Sequence, residues 1–334
     1  MHKRGLNILL IVLAVASIIM AACTGDSNDG KSADQTPTPS TTPAPTALTT
    51  SPTGTPTPTA TAIAGPTGPE WSFAEDDVAL DIPGVSPEAI LLEDGSVRLY
   101  VTDMGMKVYR SEDGLAFDEE NVQMPPGSDP TLIPLSNGGY RMYYVDMINN
   151  TQTICTATSS DGLTWTEEAC TSIKNSSGNQ AWGVPDSVEC PDGSIRLYWV
   201  DMPPTMGFGT YEVIKSAISE DGVDFTIEDG YRTEDGYVDS YVLIAEEGNW
   251  VGLFATTPAP ERLPQEIFIG TSTDGLTWEI KRDPIITVEG GNALDPTAVP
   301  LENGSWRVYY SSTPGSDPFA GFTLQSGVLS LTTK

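Results

Sequence analysis

Glu88, Asp129, Asp186, Asp239 and Asp295 fall near the starts of five stretches that align without gaps: SPEAILLEDGSVRLYVTDM from Ser86, DPTLIPLSNGGYRMYYVDM from Asp129, VPDSVECPDGSIRLYWVDM from Val184, DSYVLIAEEGNWVGLFATT from Asp239 and DPTAVPLENGSWRVYYSST from Asp295. The first position holds Ser86, Asp129, Val184, Asp239 and Asp295; two residues later stand Glu88, Thr131, Asp186, Tyr241 and Thr297. If the stretches surround one axis, each brings one carboxylate to a shared mouth. Carboxylates held several ångströms apart are the equipment of glycoside hydrolysis, one as acid and another as base or nucleophile. A structural reading stands beside the catalytic one, because Asp at a strand start also accepts hydrogen bonds from exposed backbone N–H groups. Trp182 and Tyr241 offer aromatic faces for a sugar ring, or belong to the core.

Other chemistries lack their residues. The only histidine is His2, near the N-terminus, so a Ser-His-Asp triad, a Cys-His pair and a His-based metal site are excluded. Of the four cysteines, Cys155 and Cys170 flank a turn closely enough to face one another across a hairpin, and an oxidising exterior would permit their disulfide. Cys190 reads as a small buried residue. The net charge is −30, and because Lys3 and Arg4 offset Asp26, Asp29 and Asp34 against Lys31, all of it lies in residues 70–334. Nucleic acid is excluded as a partner, since duplex binding needs clustered basic residues to displace counterions. An acidic surface keeps an exported protein soluble; it also admits calcium affinity, although no cofactor is called for.

The acids must be positioned by the repeat. Each stretch is a short apolar run, a tight turn with Gly95, Gly138, Gly193, Gly248 or Gly304, and an alternating run rich in Tyr, Val, Leu and Trp, which reads as a hairpin. A third run follows (MKVYRS, TICTATS, YEVIKSAIS, EIFIGTS, FTLQSGVLS). In four copies a Ser-x-Asp-Gly turn comes next, SEDGLAF from 111, SSDGLTW from 159, SEDGVDF from 219 and STDGLTW from 272, and then a fourth strand. Five units of four strands predict an all-β, five-bladed β-propeller of antiparallel blades. The fifth unit stops after its third run. EWSFAEDD (70–77) resembles the segments that follow the turns, so the N-terminal strand is expected to complete the last blade and hide its edge.

Outside the propeller, basic MHKRG and the fifteen-residue apolar run LNILLIVLAVASIIM, closed by Ala21 and Ala22, read as an export signal (1–22) rather than a full membrane span. An uncleaved helical anchor is the alternative. Residues 23–69 are a Thr/Pro-rich tether with too few large apolar groups for a core. At about 3.1 Å per residue it holds the 70–334 body up to roughly 140 Å from the membrane.

Several resemblances follow. Met-Ala-Ala before Cys23 resembles the lipobox of bacterial lipoproteins, which implies acylation of Cys23 and a lipid anchor on the outer face of a bacterial membrane. The repeated turns resemble the Asp-box (BNR repeat) of sialidases and other propellers, which makes Asp113, Asp161, Asp221 and Asp274 structural: the carboxylate accepts turn N–H groups, Gly supplies positive φ, and Trp165 and Trp278 read as packing rather than sugar platforms. A working sialidase is not implied, because Arg98, Arg141, Arg196 and Arg307 repeat with the architecture and an anionic sugar would approach this domain unfavourably. The Asp-Pro starts in LDPT (Asp295) and SDPT (Asp129) resemble the propellers of glycoside hydrolase family 43, which implies catalysis by these two aspartates with Glu88 in SPEA as general acid. The expected function is thus a cell-surface lipoprotein that binds or hydrolyses a glycan at the mouth, as a monomer. The rival is a non-catalytic adaptor for protein or carbohydrate.

Overall fold

The computed structural model describes residues 70–332 apart from 136–137, 203–211, 235 and 314–320. Residues 1–69, where the export signal, Cys23 and the Thr/Pro-rich tether are expected, lie outside the described residues. Those described form five four-stranded antiparallel sheets. Inner strands Val85–Leu91, Ser128–Pro134, Asp186–Glu189, Tyr237–Glu246 and Asn292–Pro300 open blades 1 to 5. In blades 1 to 4 the outermost strand follows in sequence, whereas Glu70–Glu75 pairs with Thr323–Thr332 to complete blade 5. The expected closure is therefore the observed one. The only helical turn among the described residues is a 3₁₀ segment, Pro260–Arg262.

The second strand of each blade is buried on both faces, which explains why VRLYVT, YRMYYVDMI and IRLYWVD are near-continuous apolar runs rather than strict alternations. Blades stack face to face, and the apolar core divides into five clusters, one per interface. Leu99 and Tyr309 meet between blades 5 and 1, Tyr100 and Met142 between 1 and 2, and Tyr143 and Leu197 between 2 and 3. Tyr198 and Trp250 meet between 3 and 4, and Leu253 and Tyr310 between 4 and 5.

The Ser-x-Asp-Gly turns latch these interfaces. Within the 159–165 turn, Asp161 Oδ1 accepts the N–H groups of Leu163 and Thr164 at 2.8 and 2.7 Å, and Ser159 Oγ accepts that of Gly162 at 2.9 Å. The other three turns repeat the pattern. The preceding blade then reads the turn's carbonyls: Arg98 Nη1 donates to Asp161 O at 2.9 Å and Tyr100 Oη to Gly162 O at 2.7 Å. Gly162 has φ +71°, and a Cβ there would lie 2.6 Å from the Tyr100 hydroxyl, so only glycine admits the latch. Tyr143, Tyr198 and Tyr309 bond Gly222 O, Gly275 O and Gly114 O in the same way. Blade 4 faces blade 5, which has no such turn, and at the matching positions it carries Val251 and Leu253 in place of Arg and Tyr. The Arg-x-Tyr pair occurs only where a turn receives it. Arg98, Arg141 and Arg196 reach the turn carbonyls through Nη1 and also pair with Glu120, Glu168 and Glu228, whereas Arg307 pairs through Nη1 with Asp76. Cys155 and Cys170 are opposite residues of adjacent strands and form a disulfide; Cys190 is buried and free.

Candidate functional site

The five predicted acids converge on the channel, in two layers rather than one ring. The deeper layer holds the third-position residues, each bonded to the fourth-position backbone of the next blade. Glu88 Oε1 accepts the Leu132 N–H at 2.9 Å, Thr131 Oγ1 that of Ser187 at 3.0 Å, and Thr297 Oγ1 that of Ala89 at 3.0 Å. Tyr241 Oη donates to Ala298 O at 2.8 Å, and Asp186 accepts from the Val242 backbone. A closed pentagon of side chains therefore ties the blades together at the axis, with Glu88 and Asp186 doing what threonine does in blades 2 and 5. Glu88 Oε2 additionally accepts from Thr297 Oγ1 at 3.2 Å, so both its oxygens are engaged. Asp186 Oδ2 is buried without a partner.

Ser86, Asp129, Asp239 and Asp295 form the layer nearer the mouth, with φ of 49°, 51°, 46° and 48°. Each lies within a register shift where its inner strand pairs with the second strand. A bulge of this kind re-aims a side chain, and short polar residues tolerate the left-handed region far better than β-branched ones. The fifth blade to be compared, blade 3, carries Val184 here, and Val184 is not in that conformation. The turned-in residues bond one another: Ser86 Oγ donates to Asp129 Oδ1 at 2.7 Å, and Ser86 N and Ser311 Oγ donate to Asp295 Oδ2 at 3.1 and 3.0 Å. Asp239 and Asp295, each 6 % exposed, are hydrogen-bonded carboxyl to carboxyl. Asp129 is half-buried and is the member that reaches the mouth.

Crowding and burial hold protons here. Burial, reinforced by repulsion from Asp129, pushes Asp295 up to about 6. Burial beside Asp295 raises Asp239 well above the carboxylate range, so the pair holds a proton between them. Burial also raises Asp129, lifts Glu88 to about 8, and raises Asp186, to which Glu88 adds repulsion. One acid was missed by sequence reasoning. Glu212, ahead of the third strand of blade 3, repels Asp239 and accepts from Thr257 Oγ1 at 2.6 Å. It lies outside the inner-strand repeat and has no counterpart that would have marked it.

Between the layers is a cavity of about 20 Å³ lined by all five acids and Tyr241, space for roughly one water. Tyr241 does not offer a free ring face, because its hydroxyl is bonded to blade 5 and its ring packs in the blade 4–5 cluster. Trp182 is half-buried in the connector before Val184 and is not among the lining residues. Among the described residues no group of three or more Asp, Glu, Cys or His is arranged to hold a metal ion.

No protein-family model and no curated protein matches the sequence. Solved structures do match the fold. A thermostable family-43 glycoside hydrolase aligns with TM-score 0.58 and 15% identity over 75% of this chain and 91% of that one. An α-L-arabinofuranosidase from Lactobacillus brevis aligns with TM-score 0.56 and 13% identity over 75% of this chain and 93% of its own. An N-acetylgalactosamine deacetylase from F. plautii, in complex with blood group B trisaccharide, aligns with TM-score 0.58 and 12% identity over 79% and 95%. The fold is that of the family-43 propellers. At these identities the likeness extends to architecture alone.

Proposed function

We propose that this chain is an exported propeller, tethered to the outer face of a bacterial membrane through acylated Cys23, that binds a glycan at the channel mouth through Asp129 and the Asp239–Asp295 pair. The fold likeness to carbohydrate-active enzymes and the inward-turned acids support carbohydrate as the ligand. The turn geometry supports the Asp-box resemblance. One observation favours binding over cleavage: Asp239 and Asp295 touch, with room for about one water beside them. Glycoside hydrolysis sets its two carboxyls about 5–5.5 Å apart in retaining enzymes, or 6.5–9.5 Å in inverting ones, with the glycosidic oxygen between. Glu88, proposed by resemblance as general acid, has both oxygens engaged within the pentagon and is only 5 % exposed. The shared proton favours a second reading, hydrolysis, since an un-ionised carboxyl beside an ionised one is the pairing of general acid and base. A glycan array and a panel of aryl glycosides test both. Retention of a glycan without turnover, weakened by Asp129→Asn, is expected; turnover lost in Asp239→Asn would establish a hydrolase, and silence in both assays would remove the carbohydrate reading.

A further inference from the structure

The turns SSDGLTW (159–165) and STDGLTW (272–278) end in the same tryptophan, yet the two indoles have different surroundings. Trp278 is 6 % exposed, donates Nε1–H to Gly275 O at 3.1 Å, and meets Trp250 and Phe254 edge-on. Its backbone N–H is accepted by the Arg232 carbonyl in the connector after blade 3, and the indole lies within a closed edge. Trp165 is half-buried and packs edge-on against Tyr100 at 6.2 Å between ring centres. Its Nε1–H is buried without an acceptor. Instead of a closed edge, Trp165 lines a groove of about 390 Å³ between blades 1 and 2, walled by Met124, Pro125 and Leu163 with Gln123 and Glu167 exposed at the rim.

We propose that this groove is a second carbohydrate site, separate from the mouth, that takes a neutral pyranose ring of a glycan. Its position is the outer rim: residues 122–125 follow the outermost strand of blade 1 (Asp118–Glu120), and 163–165 lead into that of blade 2 (Thr166–Cys170). The volume falls in the range of small-ligand pockets, roughly 300–1,000 Å³. The chemistry is amphipathic as a sugar is. Aliphatic and aromatic walls suit the C–H face of the ring, and the amide and carboxylate at the rim suit its hydroxyls. The ring is neutral because a uronate would be repelled by a domain of charge −30. The proposal does not rest on the mouth reading.

The test is the indole ¹⁵N–¹H resonance of Trp165 in the purified full chain, assigned by its absence in Trp165→Phe and followed during titration with neutral xylo-, gluco-, manno- and galacto-oligosaccharides. At least one sugar should shift it. In calorimetry Gln123→Ala combined with Glu167→Ala should weaken that sugar about tenfold, the effect of one or two lost hydrogen bonds, and Trp165→Phe, which keeps the packing on Tyr100 but trims the aromatic wall, should weaken it less. Asp129→Asn should leave the shift in place. A resonance that no sugar moves, that moves only with a proline-rich peptide, that still moves with undiminished affinity in the double variant, or that Asp129→Asn abolishes would overturn the groove site. The last outcome would leave the mouth reading standing.

Discussion

Tyr100→Phe and Tyr198→Phe delete the same hydroxyl from the same kind of latch, but they should not cost the same. Gly162 O accepts from Tyr100 Oη at 2.7 Å, and Gly162 is buried, so the phenylalanine variant leaves that carbonyl without a partner. An unsatisfied buried acceptor costs about 1–3 kcal/mol. Gly275 O accepts both Tyr198 Oη at 2.8 Å and Trp278 Nε1 at 3.1 Å, so Tyr198→Phe leaves one donor in place. Its loss should be that of an ordinary hydrogen bond, about 0.5–1.5 kcal/mol. Tyr143→Phe and Tyr309→Phe should group with Tyr100→Phe, because Gly222 O and Gly114 O have the tyrosine as their only hydrogen-bond donor among the described residues. Urea unfolding followed by tryptophan fluorescence measures this, with the denaturant slope unchanged if native and unfolded compactness are preserved. In thermal melts each kcal/mol corresponds to about 2–4 °C for a domain of this size. Equal losses in all four variants, or a larger loss in Tyr198→Phe, would refute the latch as drawn.

Burial raises Asp295 to about 6 and Glu88 to about 8, so the folded chain binds more protons than the unfolded one as pH rises from about 4. Stability should therefore decline between about pH 4 and 8, and melts at pH 5 and 8 should differ in that sense. Glu88→Gln, which keeps the acceptor for Leu132, should flatten the decline between 6 and 8; an identical profile in the variant would contradict the assignment. Asp113, Asp161 and Asp221 act oppositely, being held down to about 2 by turn N–H groups, so their contribution is present above about pH 4 and fades as pH falls through 2. Deleting residues 70–77 should lower the melting temperature of the whole propeller and deleting 30–60 should not, since only the former removes a strand of blade 5; equal melts would refute closure. Radiolabelled palmitate should enter the wild-type chain and not Cys23→Ser, with the variant released from membranes; label in neither would remove the lipid anchor.

Much of the architecture was legible because it is repeated. Five gap-free copies fix five blades, EWSFAEDD matches the outermost strands, and the absence of Arg and Tyr at Val251 and Leu253 already marks the interface that lacks a turn. The division of the acids was less legible. Glu88 and Asp186 stand two residues beyond Asp129, Asp239 and Asp295, and only the left-handed bulge at the first position sends the two sets to different depths of the channel. Sequence also treats Trp165 and Trp278 alike, because what separates them is the edge of the preceding blade. There the Arg232 carbonyl takes the Trp278 backbone N–H, whereas Met124 and Pro125 stand beside Trp165 at an open groove. Glu212 stands just ahead of the third strand of blade 3, at a position where the third runs of the other blades carry no acid.

The most direct measurement of the mouth as a binding site is a crystal structure of the full chain with the oligosaccharide it retains best on an array. The expected result is an intact sugar whose hydroxyl is accepted by Asp129 at the mouth, with Asp239 and Asp295 still bonded to each other. A glycosidic oxygen lying between Asp239 and a second mouth carboxyl set about 5 Å or more away, or a cleaved sugar in that position, would contradict it and make the protein a hydrolase.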